Sequence, residues 1–185
     1  PVDGPRRRCA AALPNMPVLG GVAEAIPLRD GAVDGVVVGT AFHWFDGPVA
    51  LGEIHRVLRP GGRLGLAWTA RDESVDWVAR LVRLVDGYKR GDPPRYTGGA
   101  WRQAFATSTL FTPLEERCFL YVQEGDRQTV LARVASTSFV GTLSPEERRR
   151  VLQEVTTLLD THPDTAGRTA IPLPYRTDVF WCVRR

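Results

Sequence analysis

At 185 residues, 43% of them apolar, the chain is long enough to bury one core, and no apolar run is long enough to span a bilayer. Its net charge is +3, and all but one of its 24 basic residues are arginines (the exception is Lys89), spread along the chain and mostly set beside Asp or Glu. The exceptions are Arg6-Arg7-Arg8 and Arg148-Arg149-Arg150, each at the start of a predicted helix, read as a solvated helix face with a phosphate-binding patch as the lesser alternative; no nucleic-acid or membrane partner is expected. Cys9, Cys118 and Cys182 are far apart and lack CxxC spacing, so they support neither a zinc site nor a disulfide framework, and a reducing cytoplasm is the expected setting. The opening stretch PVDGPRRRCAAALP has too short an apolar part to read as a signal peptide.

In chain order, residues 5–13 read as a short helix closed by Pro14, and Pro17–Val22 as a short strand. Turn chemistry follows around Pro27 and Asp30-Gly31. The nearly continuous β-branched run from Val33 suits a strand buried on both faces of a parallel sheet. Pro48–Leu58 reads as a helix with Leu51, Ile54 and Leu58 on one face, ended by Pro60 and Gly61; Arg63–Trp68 is the next strand. A second helix covers 73–86, with Val78, Leu81, Val82 and Val85 on one stripe. The Gly- and Pro-rich stretch 87–100 reads as a loop of the kind that serves as a lid. Trp101–Ala106 reads as a short helix, Leu114–Val122 as a strand, Asp126–Ser136 as a capped helix and Thr177–Val183 as a strand. Ser144-Pro145-Glu146-Glu147 is a capping box opening a helix to about Leu159. Strands alternating with helices predict a doubly wound α/β sheet.

Three segments in order carry a resemblance: Ala23-Glu24-Ala25-Ile26-Pro27-Leu28, then Ala41-Phe42-His43-Trp44-Phe45, then Glu53-Ile54-His55-Arg56-Val57-Leu58-Arg59-Pro60-Gly61-Gly62. Together they resemble the class I S-adenosylmethionine-dependent methyltransferases that act on small molecules. The resemblance implies a Rossmann-like seven-stranded sheet in the order 3-2-1-4-5-7-6. On that mapping 17–22 is the third strand, 33–40 the fourth, 63–68 the fifth, 114–122 the sixth and 177–183 the seventh. The first two strands, the first helix and the glycine-rich cofactor turn have no counterpart in these residues. The expectation is therefore one N-terminally incomplete domain over 1–185, with 1–86 the remaining cofactor-domain core and 87–185 the substrate side. It carries two corollaries: impaired activity of the chain, and self-association through an exposed sheet edge.

The resemblance also assigns roles. Val22, Ala23 and Glu24 would frame the adenine of S-adenosylmethionine, with Glu24 alternatively capping the turn before Ile26. Thr40, Ala41 and Phe42, at the carboxyl end of the fourth strand, would line the cofactor site, where open α/β sheets bind ligands. His43 is the histidine placed to act as base or substrate donor, and His43, Trp44 and Trp68 would line the pocket for a small-molecule acceptor; an orienting or packing role is the competing reading of His43, and packing that of Trp68. His55 reads as structural, Asp72 and Glu73 as caps, Arg59–Gly62 as an architectural turn, and no metal is expected. Two other functions compete: a non-catalytic, partner-binding remnant of a methyltransferase, and a nicotinamide-dependent oxidoreductase. The lack of a strand–GxGxxG–helix context disfavours the latter.

Overall fold

The β-branched run forms strand β1 (Val33–Gly39), which pairs in parallel with β2 (Leu58–Arg71), setting Val36 opposite Leu64 and Val38 opposite Leu66. Helix α2 (Gly47–Val57) connects them. The Asp46 carboxylate caps it by accepting from the Val49 N–H at 3.3 Å, and the helix buries Ala50, Leu51, Ile54 and Val57. The computed structural model describes residues 3–91 and 96–185, so the expected lid at 87–100 falls partly outside the described residues, as does the start of the chain at 1–2. The other elements are α1 (Asp3–Ala12), α3 (Asp76–Asp86), α4 (Arg102–Ala106), β3 (Glu115–Gln123), α5 (Arg127–Ala135), α6 (Pro145–Thr161) and β4 (Leu173–Val183). The strands order as β1-β2-β4-β3, which is the expected succession of fourth, fifth, seventh and sixth strands.

Three sequence expectations are corrected. Residues 17–22 form no strand; Val22 makes only an isolated antiparallel bridge to Ala25. A strand needs a ladder partner, and among the described residues β1 pairs only with β2. For the same reason β1 is not buried on both faces. Side chains alternate along it, so Val36 and Val38 pack on the core while Val37 is 79% exposed. Finally, the Arg59–Gly62 turn, with Gly61 at φ 75°, lies within the strand rather than ahead of it. Val33 pairs with Leu58 and Gly35 with Arg63, so the four residues form a bulge inside a longer β2.

The described residues divide into two compact units: 3–68, 96–117 and 179–185 in one, and 69–91 and 118–178 in the other. The first has its own core around Phe42, Leu51, Ile54, Leu64, Leu66 and Trp68. The core of the second is built by Val78, Leu81 and Val85 of α3, Val130 and Val134 of α5, and Val151, Val155 and Leu159 of α6. Within this second unit the buried His162, at the end of α6, meets the Asp76 carboxylate in the first turn of α3 at 2.9 Å. Helix α6 opens with the predicted capping box: the Ser144 hydroxyl accepts from the Glu147 N–H at 3.2 Å, and the Glu147 carboxylate accepts from the Ser144 N–H at 3.0 Å. Ser144→Ala is expected to lower stability by about 1 kcal/mol, readable as a shift of the urea midpoint at unchanged slope.

Candidate functional site

Everything described in this subsection lies in the first unit. Strand β1 ends in a strained residue. Thr40 has φ 50°, the one positive φ on a non-glycine residue among the described residues, and its N–H donates to Ala67 O on β2 at 2.7 Å. A β-branched residue in this left-handed region costs on the order of 1–3 kcal/mol, a signature of chain held for a purpose at a strand end. The chain then makes one 3₁₀ turn, Phe42–Trp44, closed by the N–H of Trp44 to Ala41 O and of Phe45 to Phe42 O.

That turn distributes its three rings differently. Phe42 is 1% exposed and points into the core, with ring centroids 5.2 Å from Phe105 and 5.6 Å from Phe45. Trp44 is 58% exposed. His43 is half-buried between them, and its Nδ1 accepts a hydrogen bond from the Trp68 indole Nε1–H at 3.0 Å. Trp68, on β2, is fully buried: it stacks on Tyr96 at 5.5 Å and 9°, and packs on Trp101 and Phe180 at 4.6 and 5.7 Å. It therefore takes the packing role, and reaches the site through His43 rather than through an exposed face. The Trp101 indole N–H in turn donates to Tyr96 O at 2.9 Å, which fixes the ring that covers Trp68.

The expected adenine-side residues sit beside the same turn. Val22 is 54% exposed, and Ala23 is partly buried against the core. The Glu24 carboxylate accepts from the Asp46 N–H at 3.0 Å, so it ties this segment to the start of α2. It does not cap the turn at Ile26, because the Ile26 N–H is accepted by Glu53 at 2.9 Å. Residues 4–66 match a family model described as a methyltransferase domain. An uncharacterised methyltransferase of Mycobacterium tuberculosis is 39% identical over 174 residues, covering 94% of this chain and 67% of that protein. The chain belongs to the methyltransferase family. A methyltransferase-like protein of Schizosaccharomyces pombe is 33% identical over 167 residues, covering 90% of this chain and 64% of that protein. The fold agrees with two solved structures. The YcgJ protein of Bacillus subtilis has a TM-score of 0.51 at 19% identity over 97% of this chain and 76% of that one. A candidate type II methyltransferase of Anaeromyxobacter dehalogenans has a TM-score of 0.57 at 24% identity over 89% and 69%.

Sequence reading missed two residues that organise the segment beside this turn, Arg56 and Glu53. Arg56, on α2, donates to Leu28 O and to the Asp30 carboxylate at 2.8 Å each, to Ile26 O at 3.0 Å, and to both oxygens of Glu53 at 2.8 and 2.9 Å. Glu53 uses the same carboxylate to accept from Ile26 N–H. The Arg56 guanidinium and then the Ile26 N–H pull the Glu53 carboxyl down to about 2, and Glu53 with Asp30 raises the Arg56 guanidinium further. This clasp joins the Ala23–Leu28 segment to the helix of the third motif. A signal was present: a Glu and an Arg three apart form one face of a helix turn. What it lacked was any indication that their partner was backbone more than 20 residues earlier. His55, as expected, is structural: its ring packs edge-on against Phe111, and its Nε2 accepts from Arg184 at 3.2 Å.

Proposed function

We propose that this methyltransferase uses S-adenosylmethionine to methylate a small-molecule acceptor in the cytoplasm. The observation that carries the reading is the strained Thr40–Trp44 turn at the carboxyl end of β1, where a doubly wound sheet binds its ligand, with a half-buried histidine held over an aromatic wall. The residues present fit the cofactor in part. Val22 offers an exposed apolar face beside the backbone of 22–24, which suits a flat heteroaromatic base, and Thr40 and Ala41 offer the strand-end backbone. Glu24 holds this segment in place through the bond that one of its carboxylate oxygens accepts from Asp46 N–H, at the edge of the same site; Phe42 contributes only backbone, its ring being in the core.

When bound, the cofactor supplies a methyl group already activated by its sulfonium. What remains for the chain is to align the acceptor and exclude water, and alignment alone is worth up to about 7–11 kcal/mol in favourable cases. His43 orients the acceptor, and Trp44 forms an apolar wall of the acceptor site. The reading is tested by calorimetric titration with S-adenosylmethionine and S-adenosylhomocysteine. Heat of binding and a raised melting temperature are expected from both, and none from NAD. Neither heat nor thermal shift at millimolar S-adenosylmethionine or S-adenosylhomocysteine would overturn it.

A further inference from the structure

At the carboxyl end of β2, within the second unit, a positive charge starts from the apolar face of the sheet. Strand β4 runs antiparallel to β2 there: the Asp72 N–H donates to Pro174 O at 3.0 Å, and the Thr69 and Thr177 hydroxyls meet at 2.9 Å. That register sets Arg71 opposite Tyr175, on the face that also carries Leu173. Leu173 is buried in the core built with Val130 and Val134 of α5, and Tyr175 packs partly buried against the same core. The Arg71 Nε is buried and, among the described residues, has no hydrogen-bond partner. A guanidinium has donors and no acceptor, and a buried donor left unmet costs more than a made bond gains. Burial holds the Arg71 guanidinium below its ordinary range; Tyr175 and then Asp86, at the end of α3, act the other way, and Arg133, in the last turn of α5, adds to the fall. Tyr175 offers a phenol and no lasting counter-charge, so two cations stand against one carboxylate, and none of the three meets the buried donor. Arg133 is solvent-exposed and lines an open groove of about 510 Å³ along α5 with Gln123, Gln128, Thr129 and Ser136. The acid of that groove, Asp126, is taken up by the Thr129 N–H and hydroxyl at 2.8 and 2.7 Å.

We propose that Arg71 and Arg133 form a binding site for a small oxyanion, the carboxylate or phosphate group of a small molecule. The planar fork of a guanidinium matches two oxygens of such a group. The oxyanion supplies the acceptor that the buried Arg71 Nε–H lacks, and its charge turns the repulsion between the two arginines into a shared attraction. The position agrees, because open α/β sheets take their ligands outside the carboxyl ends of their strands. An arginine that serves the fold alone looks different. Arg56 has its donors met by carbonyls and carboxylates of the chain, and an arginine that merely covers apolar surface keeps its polar head in water. The buried, unmet Nε of Arg71 follows neither pattern. The site lies wholly in the second unit, and it stands independently of the methyl-transfer reading.

The test follows the melting temperature of the full chain while inorganic phosphate, succinate or sodium chloride is added at equal ionic strength. A solute that binds the folded state alone raises stability by mass action. A saturable rise is expected with phosphate or succinate and not with chloride. The stronger of the two names the source, a phosphate group or a carboxylate. Arg71→Met keeps an apolar stem and removes the buried charge, and it should raise the apparent Kd of the oxyanion at least about tenfold, as loss of a charge-assisted bond does. Arg133→Gln changes an exposed position on α5, so it reads the site even if Arg71→Met fails to fold, and it should weaken the oxyanion several-fold. Melting that follows chloride in both oxyanion titrations is what a water on the Arg71 Nε would give, and it would overturn the proposal. An oxyanion response that survives either substitution unchanged would overturn it as well.

Discussion

Arg56→Ala is expected to release the segment Ile26–Asp30 from α2. One guanidinium holds two backbone carbonyls and two carboxylates at 2.8–3.0 Å, and Glu53, which it orients, holds the Ile26 N–H. Five donor hydrogens in a rigid fork make that set possible. A lysine has no fork, so Arg56→Lys is expected to restore the charge without restoring the segment. Hydrogen exchange at 26–30 should rise by orders of magnitude in both variants, and the exposed Arg29 should become the first site of tryptic cleavage. Unchanged exchange in Arg56→Ala would show that the segment is held by other means.

The same clasp sets an acid limb of stability. Glu53 has its carboxyl at about 2 instead of its ordinary 4.5, so the folded state binds that proton less readily than the unfolded chain. A depressed carboxylate contributes stability that is fully present above pH 4.5 and is lost as the pH falls from there toward 2. Glu53→Gln removes the titrating group and should flatten that limb while lowering stability at neutral pH. Glu147, also held at about 2, by Ser144 and then Arg90, keeps its own share of the acid dependence in that variant. Melting temperatures from pH 7 to pH 3 for both proteins read the difference.

What the sequence makes legible here is local. The β-branched run at Val33, the proline and glycine signals around α2 and the Ser144 box each state their structure within a few residues, and the structure has all three elements. The strand order is legible only because the three motifs resemble a family; no periodicity fixes which strands are neighbours. The failures share one physical cause: each depends on a partner remote in sequence. Residues 17–22 resemble a strand and are not one, because no ladder meets them. Val37 looks like core and is exposed, because burial on its face requires a covering layer that its own sequence cannot announce. The site divides in the same way. Thr40–Trp44 is legible from its place after a strand, whereas the Trp68–His43 bond spans 25 residues and the Arg56–Ile26 bond spans 30. Side-chain bonds of that reach are set by the fold, and they decide whether the histidine donates or accepts.

Gly62→Ala should be the most damaging single-methyl addition in β2, and it connects the bulge to the site. A Cβ at Gly62 would lie 2.8 Å from Arg59 O, 3.1 Å from Asp34 O and 3.1 Å from Leu58 Cδ2. Two of these three are backbone, one on each side of the β1–β2 pair, and backbone in a ladder cannot swing aside as a flexible side chain does. The Gly62 carbonyl is also held by Arg184 N–H at 2.8 Å, so the strand cannot simply shift outward. The expected loss is about 1–3 kcal/mol by chemical denaturation, in the range of overpacked cores. Gly65→Ala is the control in the same strand, since its added methyl would meet only Val37 Cγ2 at an ordinary 3.8 Å. The damage should travel. The bulge fixes where β1 sits along β2, that register places Gly39 opposite Ala67, and the Thr40 N–H to Ala67 O bond launches the turn that brings His43 to Trp68. Exchange of the Thr40 amide should therefore rise in Gly62→Ala and stay near wild type in Gly65→Ala. Equal losses in the two variants would mean that the bulge is a passive insertion and that the strand end is held from elsewhere.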